Sequence, residues 1–295
     1  MVSTGLDYWD KAAHGEIEPE AVARFVADPG RSEALRRSIA GALDYFDAAP
    51  TANLLFNDLG SFALGAIALY LHSTGGITHR RLAELSHSTT VLSRGRASAI
   101  LAALRMKGFA RRGGEQARGT PVFYEPDARL SAFFQSRMRI EVETMMDGLP
   151  TRDFVLAQWD RPETFARFMG FFGAEMIRAG TRPLPELDMF NRIGARRSGF
   201  LILFALMQAA DTGGAFPPTG DYAVSISAVA RRFSVSRSHV TRVIRLIEKE
   251  GLLLRTTREG EGRFGPAFAP AFAHYLAIGQ IAILACVHRA ITRPV

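Results

Sequence analysis

The stretch from Ser225 to Leu254, SISAVARRFSVSRSHVTRVIRLIEKEGLLL, limits the fold of this chain more than any other. It reads as helix, tight turn, helix and strand. Ser227 is placed to cap a short helix whose apolar residues are Ala228, Val229, Ala230 and Phe233. Phe233-Ser234-Val235 makes the turn, with Val235 tucked inward. Ser236 is a second N-cap, because its hydroxyl can accept from the free N–H groups of the following turn. In the next helix Val240, Val243, Ile244 and Ile247 recur at helical spacing. At roughly 100° per residue, Ser238, Arg242, Arg245 and Lys249 fall on the opposite side, flanked by His239 and Thr241. Gly251 ends the helix as a residue suited to left-handed backbone, and Leu252-Leu253-Leu254 opens a strand.

A short helix, a turn and a second helix with a basic outer face is helix-turn-helix geometry. In that geometry the second helix enters the DNA major groove, and its N-terminal part meets base edges. Residues 255–264, RTTREGEGRF, add a Gly-rich tip and a return strand, a β-hairpin. The whole stretch resembles the winged helix-turn-helix of bacterial transcription regulators of the MarR-like or GntR-like kind. Ala228-Val229-Ala230, Val235 to Val240 and Ile247 to Leu252 carry the resemblance. It implies double-stranded DNA as partner, with Ser236, Arg237, Ser238, His239, Thr241, Arg242, Arg245 and Lys249 facing the duplex. Arg258 and Arg263 on the hairpin are expected to reach the minor groove or its phosphates, with Glu259 and Glu261 weakening the field there. The same residues also fit a buried helix pair with solvated arginines, or a winged helix used only for protein contacts.

A second such pattern lies earlier. Thr78 caps His79 to Leu85, Ser93 caps Arg94 to Lys107, Gly108 stops that helix, and Phe109 to Arg112 with Thr120 to Tyr124 form a hairpin. Leu55-Phe56-Asn57-Asp58-Leu59-Gly60 matches Met189-Phe190-Asn191-Arg192-Ile193-Gly194 in residue type at every position but the fourth, and Lys107-Gly108-Phe109 matches Glu250-Gly251-Leu252. Each copy opens with an amphipathic helix, Ser32 to Ala48 or Pro162 to Ala179, and closes with a helix after the hairpin, Pro126 to Met146 or Pro270 to Ile291. The chain therefore reads as a duplication with its boundary near Leu149-Pro150-Thr151. Residues 1–150 form the first repeat, with its winged helix at about 54–125, and residues 151–295 the second, with its winged helix at about 195–269. The expected fold class is mainly α with small β-hairpin wings.

The copies are unequal. In the first, Ala97, Ile100, Leu101 and Leu104 face inward, while Gly95, Ser98, Ala99, Ala102 and Met106 face outward and offer little to base edges. Ser93, Arg94, Arg96 and Arg105 on the helix, and Arg111, Arg112 and Arg118 on the hairpin, suit phosphate contact, which sets affinity and register rather than sequence preference. The second copy is expected to carry most base readout. Two readers in one chain make the second DNA contact intramolecular.

Net charge is +7, and the isoelectric point near 10.0 favours a polyanionic partner. Cys286, the single cysteine, excludes an intrachain disulfide or a cysteine-rich zinc site; it reads as a core residue, with a redox switch as the alternative. Residues 1–16 lack a signal-peptide pattern, and Ala271 to Ile291 is interrupted by His274, Gln280, His288 and Arg289, so no membrane association is expected. No metal, dinucleotide, P-loop or G-x-S-x-G spacing occurs, so neither an enzyme nor a bound cofactor is expected. Phe165, Phe168, Phe171 and Phe172, with Phe133, Phe134 and Trp159, read as a core or a homodimer interface, with a pocket for a small apolar effector as the sharper alternative. The sum is a cytoplasmic, sequence-specific, double-stranded DNA-binding transcription regulator. Its rivals are a non-catalytic protein-interaction scaffold of tandem winged helices and a plasmid-type replication initiator.

Overall fold

A computed structural model describes residues 17–49, 55–88, 93–114, 121–181, 188–255 and 258–293. They are mainly helical, with two small antiparallel sheets. Pro19–Ala27 (α1) and Pro29–Ala48 (α2) come first; the Asp28 carboxylate caps α2 by accepting from the Gly30 N–H at 2.9 Å. Leu59–Ser73 (α3), Ile77–Thr78 (β1), His79–Ser88 (α4), Arg94–Met106 (α5), Ala110–Arg112 (β2), Phe123–Pro126 (β3) and Ala128–Met146 (α6) follow. Arg152–Trp159 (α7), which the sequence pattern does not announce, leads to Pro162–Thr181 (α8). The second series is Asp188–Gly194 (α9), Gly199–Ala210 (α10), Asp221–Ala223 (β4), Ile226–Arg232 (α11), Arg237–Lys249 (α12), Leu253–Arg255 (β5), Glu261–Phe264 (β6) and Phe268–Thr292 (α13).

The two sheets share one topology, β1-β3-β2 and β4-β6-β5. Backbone hydrogen bonds coincide at matching positions. Asp127 N–H donates to the Phe109 carbonyl and Gly265 N–H to that of Leu252, both at 2.9 Å. Leu130 N–H to Asp127 (2.9 Å) is matched by Phe268 N–H to Gly265 (3.0 Å). Gly108 and Gly251 both take positive φ, 72° and 74°, and end α5 and α12 alike. The six-residue sequence match is less faithful. Met189–Gly194 lies within α9, whereas residues 56–58 are not helical, the Asn57 carbonyl accepting instead from the Ser198 N–H at 2.7 Å.

The described residues fall into one compact unit within Leu59–Leu184 and Ala282–Val295 and another within Ile17–Asp58 and Pro185–Ile281. The helix α2 packs in the unit that holds residues 185–281, and α8 in the unit that holds residues 59–184. In the second unit Leu35, Ile39, Leu43 and Phe46 of α2 are buried in a cluster with Phe190, Ile202, Leu206, Phe233, Val240, Ile247 and Phe272. Polar contacts pin both ends of α2 there. Ser32 Oγ donates to the Phe216 carbonyl at 3.0 Å, Arg36 Nε donates to Asp211 at 2.7 Å, and Arg232 donates to Asp47 at 2.9 Å. In the first unit α8 takes the matching role against α3. A Cβ on Gly173 would come within 2.4 Å of the Tyr70 Cβ, so only glycine lets α8 approach α3 this closely. Trp159, Phe168 and Phe134 are among the largest fully buried side chains of that unit, and Trp159 meets Phe168 edge-on at 4.8 Å. The aromatic block is thus largely core, although Phe154 is exposed.

The helix α13 is long and apolar enough to cross a membrane by length and composition, yet it serves as a core element. Phe268 and Phe272 are fully buried in the second unit, while in the first the Ala290 carbonyl accepts from Arg167 Nε at 2.7 Å and Arg289 pairs with Glu175 at 3.2 Å. Cys286 is fully buried, and burial pushes its thiol up to about 12.

Candidate nucleic-acid interface

In the second unit the start of α11 differs from expectation. Ser225, not Ser227, is the cap, accepting from the Ala228 N–H at 3.3 Å. Ile226, the first residue of α11, is buried. The turn to α12 passes through Ser234 at φ 51°, with Val235 packed against the core. Ser236 caps α12 as expected: its Oγ accepts from the His239 N–H at 3.1 Å and lies 3.0 Å from Ser238 Oγ. Val240, Val243, Ile244 and Ile247 are buried, and the opposite face leaves Arg237, Ser238, Arg242, Arg245 and Lys249 exposed.

These outward residues are not equivalent. Arg242 Nε donates to the Ser238 carbonyl at 3.2 Å, so its stem lies back along the helix. Thr241 Oγ1 donates to the Arg237 carbonyl at 3.1 Å and is half-buried. His239 Nε2 lies 2.8 Å from the Arg197 carbonyl, to which it must donate, since that oxygen can only accept. The imidazole therefore anchors the start of α12 to the turn before α10 more than it presents itself outward. On the hairpin, Arg258 is exposed and pairs loosely with Glu261 at 3.7 Å. Arg263 is gripped by Asp221 through Nε at 2.6 Å and a second guanidinium nitrogen at 2.9 Å. That bond holds the Asp221 carboxyl below its usual range and keeps Arg263 along the sheet.

Two arginines were missed. Arg196 and Arg197 are both exposed in the α9–α10 turn, at the carbonyl that His239 binds. Sequence periodicity gave no sign of them, because the turn is brought to α12 by tertiary contacts. Ser198 takes φ 54° there, and a Cβ on Gly199 would meet the Ile193 carbonyl oxygen at 1.9 Å, so only glycine fits. At the other end of α12, Glu250 accepts from Arg192 of α9 at 3.0 and 2.6 Å; this bidentate bond holds the Glu250 carboxyl below its usual range.

In the first unit Ser93 caps α5, accepting from the Arg96 N–H at 3.2 Å. Ala97, Leu101 and Leu104 are buried, and Gly95, Ala99, Ala102 and Met106 face solvent. Ser98, the one hydroxyl on that face, donates to the Arg94 carbonyl at 3.0 Å and so accepts from His79 Nε2 at 2.6 Å. Its hydrogen-bonding capacity is largely used within the unit. Arg94 is exposed, Arg96 half-buried, and Arg105 lies 5.3 Å over the Tyr124 ring. Arg118 lies outside the described residues.

Among the described residues no group of three or more His, Cys, Asp or Glu side chains is placed to hold a metal ion. Compared with models of known families, with curated proteins and with solved structures, the chain matches none.

Proposed function

We propose that this chain is a sequence-specific, double-stranded DNA-binding transcription regulator of the cytoplasm, built on two winged helix-turn-helix units. One observation carries the reading. The helix α12 is capped by Ser236, seated by four buried aliphatic side chains, followed at once by a β-hairpin, and presents Arg237, Ser238, Arg242, Arg245 and Lys249 outward. A helix so presented matches the width of the major groove, and arginine is the side chain best suited to bidentate contact with guanine.

Within this reading Arg242 and Ser238 read base edges, and Arg237, Arg196 and Arg197 hold phosphates beside the N-terminus of α12. His239 is a positioning residue, since its ring is committed to the Arg197 carbonyl. Arg258 extends the phosphate track onto the hairpin, whereas Arg263 is retained by Asp221. The first unit contributes Arg94 and Arg96 to phosphates and little base readout, since Ser98 is bound internally.

Genome-wide occupancy of the full chain and of an Arg237→Ala/Arg242→Ala variant tests the reading. Discrete promoter peaks that vanish in the variant are expected. Wild-type occupancy without discrete peaks would remove the regulator reading, and peaks that persist unchanged in the variant would move the reader to α5.

A further inference from the structure

The first unit holds an arginine-lined pocket. A pocket of about 550 Å³ opens where the C-terminal end of α5 meets β2 and the start of α6. Arg105, Arg111, Arg112 and Arg129 line it, with Asp127 as the acidic member and Met106 on its rim. Arg111 is neutralised by Glu125 at 3.0 Å. Arg129 is held by Asp127 Oδ1 at 2.8 Å and by the Gly108 carbonyl at 2.5 Å, which fixes its guanidinium across the pocket wall. Arg105 and Arg112 have no ion-pair partner among the described residues. Met106 is 80% exposed, an unusual state for a methionine and one that leaves an adaptable apolar contact beside the Arg105 and Arg112 guanidinium groups.

The repeat shows that this cluster is specific to one copy. The caps Ser93 and Ser236, the terminal glycines Gly108 and Gly251, and the strands β2 and β5 align without a gap, and the return strands β3 and β6 align once the hairpin of the second copy is taken as five residues shorter. At the positions of Arg105, Arg111 and Arg129 the second copy carries Glu248, Leu254 and Ala267, and only Arg112 has a basic match, Arg255. The same backbone therefore does not need these arginines for folding. The copy that carries them is also the copy whose outward helix face is poor in base-reading groups.

We infer that this pocket binds the phosphate groups of a soluble organic phosphate. Planar guanidinium forks match phosphate oxygens bidentately, and two such groups without carboxylate partners among the described residues supply the charge that a doubly ionised phosphate requires. The pocket is open and has room for a small ligand, and Met106 with Ala102 gives the organic part an apolar rest. Arg105, Arg111 and Arg112 are thereby reassigned from duplex phosphates to a ligand site. The inference stands without the DNA-binding reading, because it concerns the DNA-free protein.

Inorganic pyrophosphate, titrated calorimetrically into the full chain at 150 mM salt without DNA, is the test. Saturable one-to-one binding is expected, at least tenfold weaker in Arg105→Ala/Arg112→Ala. An Arg80→Ala/Arg152→Ala variant, with the same loss of charge from the same unit, is expected to bind as wild type does. Both pocket positions are exposed, so the melting temperature of the unliganded pocket variant should stay close to wild type and report that it is folded. Absence of saturable binding to the wild type overturns the inference. So does equal weakening by both variants, which is diffuse charge attraction. A pocket variant that loses tenfold in affinity for a random-sequence duplex while binding pyrophosphate normally also overturns it, and returns these arginines to the DNA backbone.

Discussion

Leu43→Ala tests the placement of α2 through one buried side chain. Leu43 is fully buried on α2, encoded in the first half of the chain, but its cluster is made by α9 to α13. Truncation removes roughly three carbon groups at ~0.8 kcal/mol each, about 2.5 kcal/mol of transfer free energy, and the unfilled cavity raises the cost to about 3–4 kcal/mol. At about 1.4 kcal/mol per tenfold, amide exchange through local opening should accelerate by at least about a hundredfold. Hydrogen exchange read peptide by peptide should place that loss in residues 199–210 and 226–249, with residues 59–73 and 94–106 retaining protection longer. Phe168→Ala on α8, also fully buried, should give the mirror result, with α3 losing protection first. If Leu43→Ala instead exposes 59–106 while 199–249 stays protected, each leading helix serves its own repeat and this placement is wrong.

Gly199→Ala should destabilise the second unit by about 2–3 kcal/mol in urea melts, because a Cβ there meets the Ile193 carbonyl oxygen and backbone must move; a change below about 0.5 kcal/mol would mean the turn is looser than described. Acid should weaken the same unit. Arg192 holds Glu250 below its usual range; burial raises Asp211, but the Arg36 hydrogen bond, the Gly213 N–H and the Arg36 charge together outweigh it. Both carboxyls have folded pKa values below the unfolded ones of about 4, so their stabilisation is complete above those values and disappears as pH falls through the folded ones. Melting temperature should therefore hold from pH 7 to about 5 and fall below about 4, and Glu250→Gln should flatten part of that fall; an identical fall in the variant would exclude Glu250 as a source. Cys286 should resist thiol reagents in the native protein and react only on unfolding, since burial both encloses the thiol and pushes it up to about 12; rapid native labelling would contradict its place in the core.

Much of the local structure was legible because it rests on short-range physics. Ser93 and Ser236 cap their helices, Gly108 and Gly251 end them, and the aliphatic residues of α12 declare its inner face. The placement of α2 was not legible. The apolar stripe of α2 states that the helix needs a partner, and nothing in its spacing distinguishes α3 from α10. The same limit hid Arg196 and Arg197, which reach α12 only through the Ser198 turn and the His239 bond. The fates of Ser98 and Arg263 were equally tertiary: each is bound by a neighbour distant in sequence, His79 or Asp221.

Sequence-specific duplex binding through α12 is tested most directly by selecting duplexes from a random library with the full chain, then titrating the winner and a scrambled control from 50 to 300 mM salt. A single enriched motif is expected, bound at least about 10³-fold more tightly than the scrambled duplex, with log affinity falling linearly with log salt at about −0.9 per phosphate neutralised. Arg242→Ala should cost about 1–3 kcal/mol and relax preference at one position of the motif. No enrichment, with weak and equal binding to both duplexes, would contradict a base-reading role for α12.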